Sequence, residues 1–320
     1  MGDFTGHDVH IDTPLSNVAI AYEPSGFIGA DIAPIVPVNK QSDGFYIWSI
    51  ADTYRLSTDD RAPGTEANRI TRAVSSATYY AKNYALKDRI PYEDIKNEDA
   101  NGLFLSRENR ARFIKSKLYL NWEKRVANII NSLSNVSSYT TPVSLWSEHR
   151  SAYSDPVGDI MSAIRVVDDL TGYKPNSIVF GFKAWTHFRN HGDVIGRIFG
   201  ETRPGSGARV VGPNDAAALF EVDRVLVGRT VYNSTQEAQT QTMVRMIDDK
   251  VLVYFAPMQP SIVEPSFMYS FRWKAVADLE MQAEVRQIPA AKAEEVELGY
   301  YQDEKITGST LGFIVTSVSA

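Results

Sequence analysis

The chain has 320 residues, a length for about two domains or one large domain with extensions, and at 43% hydrophobic and 22% charged it has the proportions of a folded chain rather than a disordered one. With 33 Lys and Arg against 39 Asp and Glu, the net charge of −6 excludes bulk attraction to nucleic acid or to an anionic membrane. Cysteine is absent, which removes disulfides, thiolate catalysis, cysteine zinc sites and iron–sulfur clusters, and no run approaches the ~18 apolar residues of a membrane span.

Residues 1–40 read as an extended arm. Pro14, Pro24, Pro34 and Pro37 each fix their own φ and push the preceding residue towards extended geometry. Its first residues lack the basic and apolar regions of a signal peptide. Residues 45–90 read as a long hairpin, with Phe45–Ile50 and Thr71–Leu86 rich in β-formers and a polar tip, Ser57–Asn68. Such a hairpin cannot bury itself and needs a second surface.

The spacing predicts a long helix over 103–133. Ala111, Ile114, Leu118, Trp122, Val126, Ile129 and Leu133 form one apolar stripe, and Ser106 is the expected N-cap. Its other face sets Arg107, Arg110, Arg112, Lys115, Lys117, Lys124 and Arg125 against Glu108 and Glu123. A Ser/Thr-rich connector follows. Then come a helix over Pro156–Leu170, entered through Ser154-Asp155-Pro156, and a buried strand, Ser177–Phe180. A helix over Lys183–Phe199 and strands at Arg224–Val231 and Val251–Phe255 complete an α/β unit over 156–260 with its own core. Residues 267–320 return to strand character and are acidic over 275–305. Basic helix and acidic strands leave three options open: pairing within the subunit, pairing between subunits, or two solvated faces.

Chemistry-bearing motifs are sparse. His187 and His191 stand at i, i+4, as two metal ligands on one helix face require, but Phe188 occupies the place of the catalytic Glu in the HExxH form. A metal-dependent hydrolase is therefore kept as a minor alternative. Gly200–Gly207 has the gap of a phosphate loop but carries Ser206 where the loop needs Lys, and it follows a helix instead of a strand. Asp168-Asp169 and Asp248-Asp249 are adjacent pairs, whose carboxylates point apart. No catalytic, cofactor-binding or metal-binding residue is expected. The basic helix face offers DNA phosphates only nonspecific contact.

The order of parts (arm, long hairpin, long helix, α/β unit, returning sheet) resembles the major capsid proteins of tailed bacteriophages, the Hong Kong 97 type of fold. Leu15-Ser-Asn-Val-Ala-Ile-Ala-Tyr22, Ile32-Ala-Pro-Ile-Val-Pro-Val38 and Arg61-Ala-Pro-Gly-Thr-Glu66 look like the arm and loop of one capsid-protein branch. Tyr84-Ala-Leu86 followed by Ile90-Pro91, and Lys174-Pro-Asn-Ser-Ile178, continue the match. It runs from about Leu15 to the C-terminus, and the ordered set is specific where no single motif is.

The resemblance implies an α+β fold with an N-arm over 1–40 and an extended E-loop over 41–90. A peripheral domain with the spine helix would span 91–155, an axial domain 156–264, and peripheral return strands 265–320. It implies a structural protein, not an enzyme, that self-assembles as hexamers and pentamers into the icosahedral head enclosing double-stranded DNA. The shell would be built in the host cytoplasm, with a portal and a decoration protein and no membrane contact. Some relatives carry a fused scaffold before the arm. Here some fourteen residues precede the match, so the expectation is a separate scaffolding protein. Arg61, Glu66 and Arg69 are the charges expected to pair across the E-loop contact. An encapsulin-type compartment of the same fold is the alternative. Some capsids of this fold join an E-loop Lys to a neighbour's Asn, but residues 41–81 contain no Lys and the last Asn is Asn233, so a non-covalent shell is expected.

Overall fold

The computed structural model describes residues 10–11, 26–47, 54–57, 59–70, 75–96, 106–148, 153–200, 210–236, 239–261, 264–274 and 281–319. Most of the expected arm, the glycine-rich segment after Gly200 and the helix start before Ser106 lie outside them.

In chain order, β1 (His10–Ile11) precedes the one-turn α1 (Gly29–Ile32), β2 (Ile35–Val38), β3 (Ser42–Ile47) and β4 (Ser75–Tyr80). Strand β5 (Lys82–Pro91) leads into α2 (Tyr92–Lys96) and the 26-residue α3 (Ser106–Asn131). After β6 (Ser138–Thr140) come α4 (Pro156–Thr171), β7 (Ser177–Gly181), α5 (Phe182–Asn190), α6 (Gly192–Phe199) and α7 (Pro213–Phe220). Then follow β8 (Arg224–Gly228), β9 (Val231–Asn233), β10 (Met243–Arg245) and β11 (Lys250–Tyr254). Strands β12 (Met268–Trp273), β13 (Gln282–Ile288), β14 (Ala293–Ile306) and β15 (Gly312–Thr316) close the chain.

Strand β14 is the axis of a six-stranded sheet. One edge pairs with β5 over residues 293–302, while the other pairs first with β13 and then with β12. Strand β1 extends β13, and β2 runs parallel to β12. The pleat turns Glu294, Val296, Leu298, Tyr300, Gln302 and Glu304 to one face, where each is buried. There Val296, Leu298 and Tyr300 meet Ala111, Ile114 and Leu118 of α3. A charged clamp closes each end of this contact. Arg107 donates twice to Glu294 at 2.8 Å, and Arg125 reaches Glu304 at 2.9 Å. These arginines are five helical turns apart, hence on one face.

The second half of α3 serves the other sheet, ordered β6-β15-β11-β7-β8. Trp122, Val126 and Ile130 pack on Val179, Leu252 and Ile314, while Ile178, Phe180, Val251, Val253, Phe313 and Val315 face α4 and α5. A sheet covered on both faces selects strands apolar at nearly every position. That explains β15, Gly-Phe-Ile-Val-Thr, buried throughout. The resemblance implied peripheral return strands over all of 265–320, but residues 312–316 pair with β11 in the sheet of the α/β unit.

Three further boundaries differ from the sequence reading. The returning limb of the hairpin is two strands: β4 pairs with β3, and at the buried Ala81 the chain turns so that β5 enters the large sheet. The helix expected over 183–199 breaks at His191, whose backbone is extended. The α3 stripe closes on Ile130, because the helix ends at Asn131 and leaves Leu133 in a 3-10 turn. Helix α4 is as expected, capped by the Asp155 carboxylate accepting from Gly158 N–H at 2.9 Å, with Pro156 in its first turn and Gly172 left-handed at φ 67°.

Candidate assembly surface

The tip of the loop between β3 and β4 is organised by local sequence. In Ala62-Pro63-Gly64-Thr65, Pro63 presets the first central turn position, and Gly64, at φ 85°, takes the left-handed second one. The Thr65 N–H donates to the Ala62 carbonyl at 3.2 Å, and its hydroxyl donates to the same oxygen at 2.8 Å. Below this turn Asn68 Nδ2 donates to the Asp60 carbonyl at 3.5 Å and draws the limbs together. All the described residues from 54 to 70 are exposed, Leu56 at 98% and Ile70 at 75%. Each of these side chains forgoes about 1.5–3 kcal/mol of burial while it stays in water.

Arg61, Glu66 and Arg69 all project from this loop. None makes an ion pair with another described residue, so the subunit alone does not bring them together. At the loop's root Tyr54 lies on Gly172, where a Cβ would overlap its hydroxyl.

The end of the arm is fastened to both sheets. Glu123 of α3, only 3% exposed, accepts from the backbone N–H of Ile28 at 3.1 Å and of Gly29 at 2.5 Å, and from the Thr230 hydroxyl at 3.3 Å. Burial pushes its carboxyl up; these donors pull it back, and Asp31 adds to the rise. Beyond the turn, Arg224 of β8 donates to the Asp31 carboxylate at 3.0 Å and to its carbonyl at 2.9 Å. Tyr254 donates to that carbonyl too, and burial pushes its hydroxyl up to about 12. Helix α1 thus ties the spine helix to the α/β sheet.

The basic face of α3 and the acidic strand meet within the subunit. Besides Arg107–Glu294 and Arg125–Glu304, Arg110 pairs with Asp88 at 2.9 Å. On the opposite face of β14, Glu295 holds Lys87 at 3.1 Å and Arg89 at 2.9 Å. Arg125 also donates to the Tyr300 hydroxyl at 3.1 Å. Gln302 links Glu304 to Arg272, which is 2% exposed.

The other chemical candidates take structural places. His191 lies outside α5, so it does not share a helix face with His187; its Nδ1 accepts from Asp193 N–H at 3.3 Å. Asp248 accepts from Lys183 N–H at the start of α5, and Asp249 holds Ser319 at 2.6 Å. Asp169 pairs with Arg165 one turn earlier at 3.6 Å. Among the described residues no cluster of three His, Asp or Glu suits a metal, and no helix is long and apolar enough to cross a membrane.

Sequence reasoning missed Glu123, Arg224 and Arg272. Glu123 carried a signal: it directly follows Trp122 and stands three residues before Val126, at the margin of the apolar stripe.

No family model matches the chain. It is 22% identical over 316 residues to the "Major capsid protein" of Burkholderia phage BcepMu, covering 97% of each chain. A phage-related protein from Bordetella bronchiseptica superposes with TM-score 0.76 at 21% identity, covering 97% of this chain and 98% of that one. The capsid of Cyanophage P-SCSP1u gives 0.57 at 11% identity, covering 100% and 93%. The SrpI encapsulin of Synechococcus elongatus gives 0.54 at 10% identity, covering 96% and 95%.

Proposed function

We propose, from the premise that this chain is a major capsid protein with the Hong Kong 97 fold, that it builds the icosahedral head of a tailed phage from hexamers and pentamers of itself. Self-assembly into a shell and a place in the virion come with that identity, and the role is structural. The observation that carries the finer reading is the loop over 54–70: a pre-formed turn on two limbs, with Leu56 and Ile70 in water and Arg61, Glu66 and Arg69 in no ion pair among the described residues. A free subunit gains nothing by exposing them; a neighbour that covers them does.

In this reading 1–40 is the N-arm and 41–90 the E-loop. Residues 91–155 with 265–306 make the peripheral domain, and 156–264 with β15 the axial domain. Arg61, Glu66 and Arg69 pair with adjacent subunits. The shell encloses double-stranded DNA without reading its sequence and forms in the host cytoplasm. It works with a scaffolding protein, a portal and a decoration protein. The encapsulin likeness supports a second reading, a protein compartment, which packaged protein cargo in place of DNA and a portal vertex would favour.

The purified chain viewed by negative-stain microscopy should give uniform shells or capsomer rings. Deleting Ser57–Asn68 should leave a folded subunit that closes no shells; normal shells from this variant would make the loop assignment wrong. Particles boiled in SDS should run as a single band of one-subunit size, since residues 41–81 hold no Lys to form an isopeptide.

A further inference from the structure

A cavity of about 370 Å³ opens where α1, the start of β7 and the segment after β11 converge. Its walls are mostly apolar, with Ala30, Pro34, Ala256, Pro257 and Pro260 around a Met258 side chain that is 86% exposed. This falls in the ~300–1,000 Å³ range of sites that bury most of a guest, with room for two aliphatic side chains. The local charges are mostly spent: Glu221 is paired with Lys174 at 3.0 Å, and Asp31 with Arg224 at 3.0 Å. Asp223 on the wall is the remaining carboxylate, exposed and without an ion-pair partner among the described residues.

The loop over 54–70 offers the complement. Leu56 and Ile70 flank the neck that Asn68 and Asp60 close, and Arg69, next to Ile70, has no ion pair among the described residues. The loop does not use its own subunit's cavity. Tyr54 rests on Gly172, four residues before Asn176 on the cavity wall, yet Leu56, two residues further on, is 98% exposed. The chain leaves its own surface at that point.

We propose that Leu56 and Ile70 of one copy seat in this cavity of a second copy, with Arg69 against Asp223. This rests on the reading of 41–90 as an intersubunit loop and names its receptor. Apolar side chains now in water meet an apolar recess, and a cation meets a carboxylate, each without an ion pair among the described residues. The second copy is the occupant because the charges match and because a shell supplies every cavity with a neighbouring loop.

Charge exchange across the contact tests it. Arg69→Asp and Asp223→Arg each place like charges at the contact, and each alone should lower shell yield about tenfold or more. Both positions are exposed, so thermal melts of the subunits should match the wild type. The double variant Arg69→Asp/Asp223→Arg should recover shells, because every loop then meets a cavity of the opposite charge. Leu56→Ser and Met258→Asp, acting on the apolar half, should each lower yield with no rescue by salt. Wild-type shells with either charge variant assembling normally, or a double variant no better than the single ones, would overturn the proposed receptor and leave the capsid reading standing. A wild-type chain that forms neither shells nor capsomer rings, even with its scaffolding protein present, would overturn the capsid reading itself.

Discussion

In the five-stranded sheet, Ile178, Phe180, Val251 and Val253 meet Val157, Ile160, Ala163 and Phe188, and polar side chains work at element ends, as Asp155 and Asp248 do. Under the long helix α3, the six-stranded sheet presents Glu294, Gln302 and Glu304 from the same face as Val296, Leu298 and Tyr300. Apolar transfer is non-directional, so the first unit draws stability from area and fit. Ion pairs at both ends of the second contact add little net stability over a well-packed apolar pair, but they penalise a helix that slides or rotates. The α/β unit is built to be stable; the spine is built to be held in one register.

The comparison breaks most visibly in the apolar unit. Phe180 is fully buried, with ring centroids 4.9 Å from Phe188 and 5.3 Å from Trp185. Phe180→Ala should cost about 3–5 kcal/mol, read as a lower urea midpoint at unchanged slope. A loss below about 1 kcal/mol would mean that the site collapses around the gap and that packing there is not tight.

In the charged unit, Glu304→Ala leaves Arg125 without its carboxylate and Gln302, which holds Arg272, without its acceptor, and should cost about 3 kcal/mol. Replacing the pair together, Arg125→Met with Glu304→Leu, should recover most of that loss. If the double variant melts no higher than Glu304→Ala, the ion pair itself is a source of stability and the contrast with the apolar sheet fails.

A smaller effect follows from Glu123. Its folded-state carboxyl titrates above the ordinary value because burial disfavours the charge. The folded state therefore holds the proton where the unfolded chain has lost it. Stability is fullest below the ordinary carboxyl value and falls as pH rises through the raised one. Glu123→Gln should flatten that decline in a series of melts from about pH 4 to 8; an unchanged slope would show that the arm's anchor is insensitive to this charge.

The smallest effect belongs to Glu295, which hydrogen bonds from Arg89 and then Lys87 hold below the ordinary range. Its contribution is present above the ordinary value and fades as pH falls through the lowered one. The arginine and lysine are exposed, so Glu295→Gln should cost only ~0–1 kcal/mol, a difference that molar salt erases. The basic helix face spends Arg107, Arg110 and Arg125 inside the subunit, so salt should act on melting before it acts on assembly.

The sequence by itself determined what depends on neighbours a few residues apart. The stripe from Ala111 to Val126 marked α3, Asp155-Pro156 and Gly172 bounded α4, and Pro63-Gly64 marked the exposed turn. Apolar runs such as Phe313-Ile-Val315 announced a strand without saying in which sheet. Choice of partner was decided in three dimensions. Arg107 and Glu294 stand 187 residues apart, Arg125 and Glu304 179, so no local period encodes their meeting. Glu123 read as one solvated acid on a basic face, and it became a buried anchor because residues 26–32 pack over it. Helix period and turn chemistry are local properties of the backbone; pairing and burial depend on which surfaces meet once the chain has closed on itself.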